Sequence, residues 1–179
     1  TFQKVIAGTD KGLDGAVYNI YLDGQIVGSD VTSGGGYIEV HDVTEGLWSF
    51  VEQEAPAGYA LDPTPLSVTD GDKQYTVTVG DEELPGIKVI KTSAVDGSPV
   101  ENAVYSIEGV TCAFSTSVST GPDGSALVED LPAGVYIVRE ESVPEPFVRT
   151  ASEQTIALRP GKISEARFED YTRPGLEIV

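Results

Sequence analysis

Helical periodicity is almost missing from this sequence, and so are the residues on which most familiar chemistries rest. Its 179 residues include one Cys, one His, one Trp and no Met. The single Cys112 excludes a disulfide within the chain, so a small β domain built from this sequence must find its stability elsewhere. Basic residues are scarce as well, 11 Lys and Arg against 29 Asp and Glu, for a formal net charge of −18. That balance excludes nucleic acid as a partner, because so few cations cannot offset phosphate repulsion. It describes a soluble, self-repelling surface instead. No apolar run approaches the roughly 18 residues that a membrane span requires.

What is present is alternation. Runs with a period of two cover Ala16 to Leu22, Tyr37 to Val43, Leu47 to Glu52, Tyr75 to Val79, Val104 to Ile107, Val135 to Glu140 and Ile163 to Phe168. Turn dipeptides punctuate them, as at Asp14-Gly15, Asp23-Gly24, Asp70-Gly71, Asp96-Gly97 and Asp123-Gly124. Short strands at this density predict an all-β sandwich or barrel.

The two halves also match. Lys4-Val5-Ile6 recurs as Lys88-Val89-Ile90, an offset of 88 − 4 = 84. Ala16-Val17-Tyr18 recurs as Ala103-Val104-Tyr105, offset 103 − 16 = 87. Trp48 to Glu52 recurs as Tyr136 to Glu140, offset 140 − 52 = 88, and Asp81 with Pro85-Gly86 recurs as Asp170 with Pro174-Gly175, offset 170 − 81 = 89. A drift this small describes a duplicated domain with minor loop insertions. The expected boundaries are 1–84 and 85–175, with 176–179 as the start of a following repeat in a longer array.

Period two also says which side chains share a sheet face. Lys4 falls with Phe2 and Ile6, and Lys88 with Ile90. Glu52 follows Trp48 and Phe50; Glu140 follows Tyr136 and Val138. Asp81 follows Val77 and Val79; Asp170 follows Phe168. Each half thus points one Lys, one Glu and one Asp along a face that otherwise resembles core. Burying three such groups apart is costly, so they are expected to meet. A buried ion cluster is one outcome. The other is a reaction: burial raises a carboxyl pKa and lowers an amine pKa, so a neutral Lys can face a protonated Asp while Glu carries the proton. Lys91 stands close enough to compete with Lys88, but the Lys-Val-Ile match aligns it with Ala7, which selects Lys88.

The early Lys, the Gly15-Ala16-Val17-Tyr18 segment and Glu52-Gln53-Glu54-Ala55-Pro56-Ala57-Gly58-Tyr59 together resemble the collagen-adhesin B-type (CnaB, SpaA-like) domain of Gram-positive surface adhesins and pilins. The resemblance spans the whole chain and implies two tandem Ig-like or prealbumin-like β-sandwiches. It further implies an intramolecular isopeptide bond from a first-strand Lys to a last-strand Asn or Asp, promoted by the Glu. Carried over by position, the bonds join Lys4 to Asp81 and Lys88 to Asp170, with Glu52 and Glu140 as proton shuttles. The second Glu segment, Glu140 to Phe147, keeps Glu140 and Pro144 but departs from the Ala-Pro and Gly-Tyr of the first.

Other features carry less. His41 and Cys112 have no partner motif, and both are expected to be structural. Asp70-Gly71-Asp72 and Asp81-Glu82-Glu83 lack the ligand spacing of a calcium loop, so neither metal nor cofactor is expected. Gly34-Gly35-Gly36 precedes no helix and cradles no phosphate. The resemblance implies a stalk or spacer at the cell wall, outside the cell and not an enzyme. Its partners would be neighbouring repeats, with a host protein or glycan bound through other domains. The alternative is that this fragment is itself the host-binding module.

Overall fold

A computed structural model describes residues 1–69, 77–150 and 152–174. The expected following repeat at 176–179 and the Asp70-Gly71-Asp72 segment lie outside these residues. Chain contacts divide the molecule after Glu83 into two compact units.

The first unit begins with β1 (Phe2–Ile6), β2 (Val17–Leu22), β3 (Gln25–Val31) and β4 (Tyr37–Ile38), followed by β5 (Leu47–Glu54), β6 (Leu66–Thr69) and β7 (Val77–Asp81). These form two sheets, ordered β4-β1-β7 and β3-β2-β5-β6. The first and last strands of the unit, β1 and β7, are parallel neighbours, with Ile6 opposite Asp81. The remaining strand pairs are antiparallel.

The second unit repeats the arrangement with β8 (Gly86–Ser93), β9 (Val104–Gly109), β10 (Ser115–Ser119) and β11 (Ser125–Val128), then β12 (Gly134–Ser142), β13 (Phe147–Val148), β14 (Glu153–Leu158) and β15 (Ile163–Thr172). Its sheets are ordered β11-β8-β15-β13 and β10-β9-β12-β14. Again first and last strands, β8 and β15, run parallel, with Ser93 opposite Asp170. The all-β, tandem-sandwich expectation is met.

The run predicted from Tyr37 to Val43 shortens to two residues. Pairing stops at Ile38, and Asp42 takes φ 56°, a left-handed conformation that a strand continuing to Val43 would not contain. His41 is exposed there, 3.8 Å from Glu39.

Each core is closed by alternating apolar residues from both sheets. Phe2 packs edge-on against Tyr18 at 4.7 Å and stacks on Phe50 at 5.5 Å; Tyr105 and Phe168 meet at 4.8 Å in the second unit. Aromatic pairs in these geometries add to plain area burial. A buried threonine staples each unit in the same way. Thr32 Oγ1 accepts from Ala16 N–H and donates to Leu13 O; Thr120 Oγ1 accepts from Ala103 N–H and donates to Val100 O.

A glycine backs the lysine strand in both units. Gly36 O accepts from Lys4 N–H and Gly124 O from Lys91 N–H, each at 2.7 Å. The two glycines have φ of 83° and 71°, and an added Cβ would lie 2.0 Å from Lys4 O and 2.5 Å from Lys91 O respectively. A backbone oxygen fixed in a sheet cannot swing aside. Gly36→Ala and Gly124→Ala should therefore each destabilise their own unit by at least about 2 kcal/mol in urea unfolding. Gly24→Ala, at φ 79° with open space around it, should cost only about 1 kcal/mol.

Candidate functional site

The first-unit site is assembled by three strands. Lys4 comes from β1, Glu52 from β5 and Asp81 from the end of β7, and all three side chains are wholly sealed from solvent. They face inward because they continue the apolar alternation of their strands, Phe2-Lys4, Phe50-Glu52 and Val79-Asp81. Lys4 Nζ donates to Glu52 Oε2 at 3.2 Å and touches Asp81 Oδ1. Asp62 N–H also donates to Glu52 Oε2, at 3.0 Å. Among the described residues, Glu52 Oε1, both Asp81 oxygens and the Tyr18 hydroxyl have no hydrogen-bond partner. The Lys4 ammonium lies 5.6 Å from the centre of the Tyr18 ring, within cation–π range.

In the second unit Glu140 and Asp170 meet as expected, but their lysine is Lys91. Lys91 Nζ lies 2.7 Å from Glu140 Oε1 and 2.8 Å from Asp170 Oδ2, all three side chains sealed from water. Neither contact has hydrogen-bond alignment. Tyr105 donates its hydroxyl to Glu140 Oε1 at 2.9 Å. Asp170 Oδ1 accepts from Thr150 N–H at 3.1 Å and from Thr150 Oγ1 at 2.7 Å.

Lys88 is therefore corrected. It lies on the opposite face of β8, half-buried, in register with Leu127 of β11 and Glu165 of β15. The inward residues of β8 are Ile87, Val89, Lys91 and Ser93. The repeated Lys-Val-Ile is a coincidence of composition in a strand whose equivalent positions begin three residues later. The sequence held the signal. Lys4 to Lys91 is an offset of 91 − 4 = 87, which joins 87 for the Ala-Val-Tyr segment, 88 for Glu and 89 for Asp. The offset of 84 breaks that order. Equivalent backbone bonds agree, since Ala7 N–H donates to Asp81 O and Ala94 N–H to Asp170 O. Tyr18, Tyr105, Asp62 and Thr150 were not singled out from the sequence, and only the fold brings them to the clusters.

Proton placement also departs from the expected neutral pair. Burial is the largest influence on the Lys4 amine and pushes its pKa down, but Asp81 and Tyr18 together outweigh it and raise it. Burial likewise pushes Asp170 up, and the donors from Lys91 and Thr150 outweigh it, leaving that carboxyl below its usual range. Glu52 is raised, chiefly by burial and against the Asp62 N–H and Lys4. Burial raises the Tyr18 phenol to about 12. The raised Lys4 amine favours its charged form, and a neutral amine facing a neutral carboxyl is reached there only when a proton moves within the cluster. A glutamate whose pKa is already raised is suited to accept and return it.

The Gly34–Gly36 turn is pinned, with Asp14 Oδ1 accepting from Gly35 and Gly36 N–H. Cys112 donates to the Tyr136 hydroxyl at 3.2 Å and that hydroxyl to Pro132 O, a structural contact. Among the described residues no group of acids, His or Cys is arranged to hold a metal ion. No helix among them is long and apolar enough to cross a membrane.

The family described as "SpaA: Prealbumin-like fold domain" matches residues 1–83 and again 85–172. Among solved structures, the shaft pilin SpaA from Lactobacillus rhamnosus GG is 11% identical with a TM-score of 0.56, covering 98% of each chain. That likeness is one of fold. The Bacillus anthracis TIE protein is 22% identical (TM-score 0.49, 96% of this chain and 33% of that one). A streptococcal ancillary pilin is 21% identical (TM-score 0.49, 97% of this chain and 62% of that one). This chain therefore spans a third of the first and under two thirds of the second. Comparison with curated protein sequences returned no match.

The clusters separate the two candidate lysines. Lys91→Ala leaves two sealed carboxyl groups without their cation and should destabilise the second unit by about 3–5 kcal/mol. Lys88→Ala should stay within about 0.5 kcal/mol of the parent. Chemical unfolding followed in the second unit measures both, and equal effects would remove Lys91 from its assigned place.

Proposed function

The chain belongs to the SpaA prealbumin-like fold domain family, and from that premise we propose that it is a stalk segment of a bacterial surface pilin or adhesin, each unit tied by its own Lys–Asp isopeptide bond. The observation that carries this reading is the repeated, solvent-sealed Lys-Glu-Asp cluster bridging first and last strands. The family and the shaft-pilin fold are those of structural domains, not enzymes. The bonds join Lys4 to Asp81 under Glu52 and Lys91 to Asp170 under Glu140. A cell-wall location and adjoining repeats as partners go with this reading.

The reaction balances without a cofactor. One proton moves from the lysine ammonium to the aspartate, leaving a free amine and a neutral carboxyl. Nζ attacks Cγ, Glu takes a proton from the nitrogen, and that proton returns to the departing carboxyl oxygen. The C–O bond breaks, one water leaves and an amide remains. Three ionisable groups become one, which removes most of the electrostatic cost of burial.

Topology turns this chemistry into mechanics. Because β1 lies parallel to β7, and β8 to β15, tension on a unit's two ends shears adjacent strands. A tie from Lys4 to Asp81 closes 81 − 4 = 77 residue steps, and one from Lys91 to Asp170 closes 170 − 91 = 79. Loops of that length restrict the unfolded chain by about 4–5 kcal/mol in the entropy model used for disulfides. Force then runs through the side-chain tie and bypasses the enclosed residues.

The purified chain should weigh two waters less than its sequence, with branched peptides joining Lys4 to Asp81 and Lys91 to Asp170. An unmodified mass would return the clusters to plain ion pairs. Glu52→Ala and Glu140→Ala should each abolish the water loss of their own unit alone. In the Glu140→Ala chain Asp170 stays ionisable, with a folded pKa below its unfolded value of about 3.9. Its contribution is complete above that value and lost as pH falls through the folded pKa. The tied parent should lack this acid transition. Single-molecule pulling should show no domain-length extension in the parent, and Lys4→Ala should release the first unit only.

A further inference from the structure

The two clusters differ in what holds the aspartate. Among the described residues Asp81 meets the Lys4 ammonium but has no aligned hydrogen-bond donor on either oxygen, whereas Asp170 Oδ1 accepts two, from Thr150 N–H at 3.1 Å and from Thr150 Oγ1 at 2.7 Å. The same hydroxyl lies 3.4 Å from Glu169 O, so the carboxyl oxygen is its nearer acceptor. The other oxygen, Oδ2, faces Lys91 Nζ at 2.8 Å, and Nζ in turn lies 2.7 Å from Glu140 Oε1. The carboxyl is therefore polarised from one side and approached from the other.

We propose that Thr150 is a catalytic residue of the second unit, an oxyanion site that fixes which oxygen of Asp170 is kept and which leaves. This rests on the isopeptide reading above. As Nζ adds to Cγ, the electron pair of the C–Oδ1 double bond moves onto Oδ1. There the Thr150 N–H and hydroxyl meet the developing negative charge. Glu140, on the Nζ side, takes a proton from the nitrogen and gives it to Oδ2. The C–Oδ2 bond breaks, water departs, and the pair on Oδ1 re-forms the amide carbonyl, still held by Thr150. Thr150 itself is exposed, but the carboxyl it holds is sealed, and donors fixed before the reaction and aimed at a developing oxyanion stabilise it.

The first unit lacks this device for a readable reason. At the offset of 150 − 62 = 88, which the Glu pair also shows, the counterpart of Thr150 is Asp62. Its N–H is committed to Glu52 Oε2, and its own Oδ1 accepts from Thr64 N–H. Its carboxyl pKa is lowered, chiefly by Thr64, so the side chain offers no proton to Asp81. The second unit should consequently close faster than the first, although its glutamate segment departs further from the family pattern.

The test is the time course of water loss after cell-free synthesis of the full chain, read by intact mass and by the two branched peptides. In the parent, the Lys91–Asp170 peptide should appear before the Lys4–Asp81 peptide. Thr150→Val keeps the N–H and removes the hydroxyl, and should slow the second bond at least about tenfold. The first bond, unchanged, serves as the internal control. Thr150→Ser should restore the parent rate, which a merely space-filling threonine would not predict. A parent in which the first bond appears no later than the second overturns the proposal, as does Thr150→Val closing at the parent rate. Thr150→Ser closing as slowly as Thr150→Val also overturns it, as a hydroxyl-independent defect. A parent that loses no water from the second unit takes down the isopeptide reading and this inference together.

Discussion

Everything in each unit is organised around one ammonium group kept away from water. An isolated charge of that kind costs several kcal/mol to bury, and two carboxyl groups must come with it to make the site tolerable. The requirement fixes strand order as much as any apolar contact does. Lysine sits near the start of the unit and aspartate at its end, so only parallel pairing of the first and last strands brings them together. Glutamate must then come from the opposite sheet, from β5 in one unit and β12 in the other. The sandwich is closed by aromatic and aliphatic packing, and the charge cluster sits where its first and last strands meet a strand of the opposite sheet.

The two copies keep this frame and vary its lining. In both units the same glycine carbonyl holds the lysine strand, and the same threonine staple ties the segment after it. Around the carboxyl groups the chemistry diverges. Tyr105 donates to Glu140, while the equivalent Tyr18 hydroxyl has no partner among the described residues and its ring lies beside the Lys4 ammonium. Thr150 holds Asp170, while Asp62 turns its N–H to Glu52. Duplication preserved the scaffold and the three ionisable groups, and left the groups that steer them free to differ. Both units keep the same fold although these neighbouring groups differ.

The proton balance has the same origin. Burial pushes the Lys4 amine down and the Asp170 carboxyl up, yet the groups facing each of them outweigh it and favour the charged form. On the proposed isopeptide reading, such a site folds as an ion cluster and stands one proton transfer from the neutral pair that condenses. Sealing from water strengthens the ion pair, and on that reading it also favours the pair's removal as an amide.

The sequence by itself determined the all-β class, the duplication and five of the six ionisable residues, because these rest on short-range alternation and on a repeat that drifts by only a few residues. Lys4, Glu52, Asp81, Glu140 and Asp170 were each legible as a charge continuing an apolar face. The sixth was decided by tertiary structure. Lys88 and Lys91 lie three apart, on opposite faces of a β-strand, and a local match of three residues favoured the wrong one. Only pairing with β15, which sets Ser93 against Asp170, fixes which face turns inward. Tyr105 and Thr150 were beyond sequence reasoning for a related reason. Each reaches its carboxyl group from 35 and 20 residues away, and a hydroxyl at that separation carries no periodic signature until the sheets have closed around it.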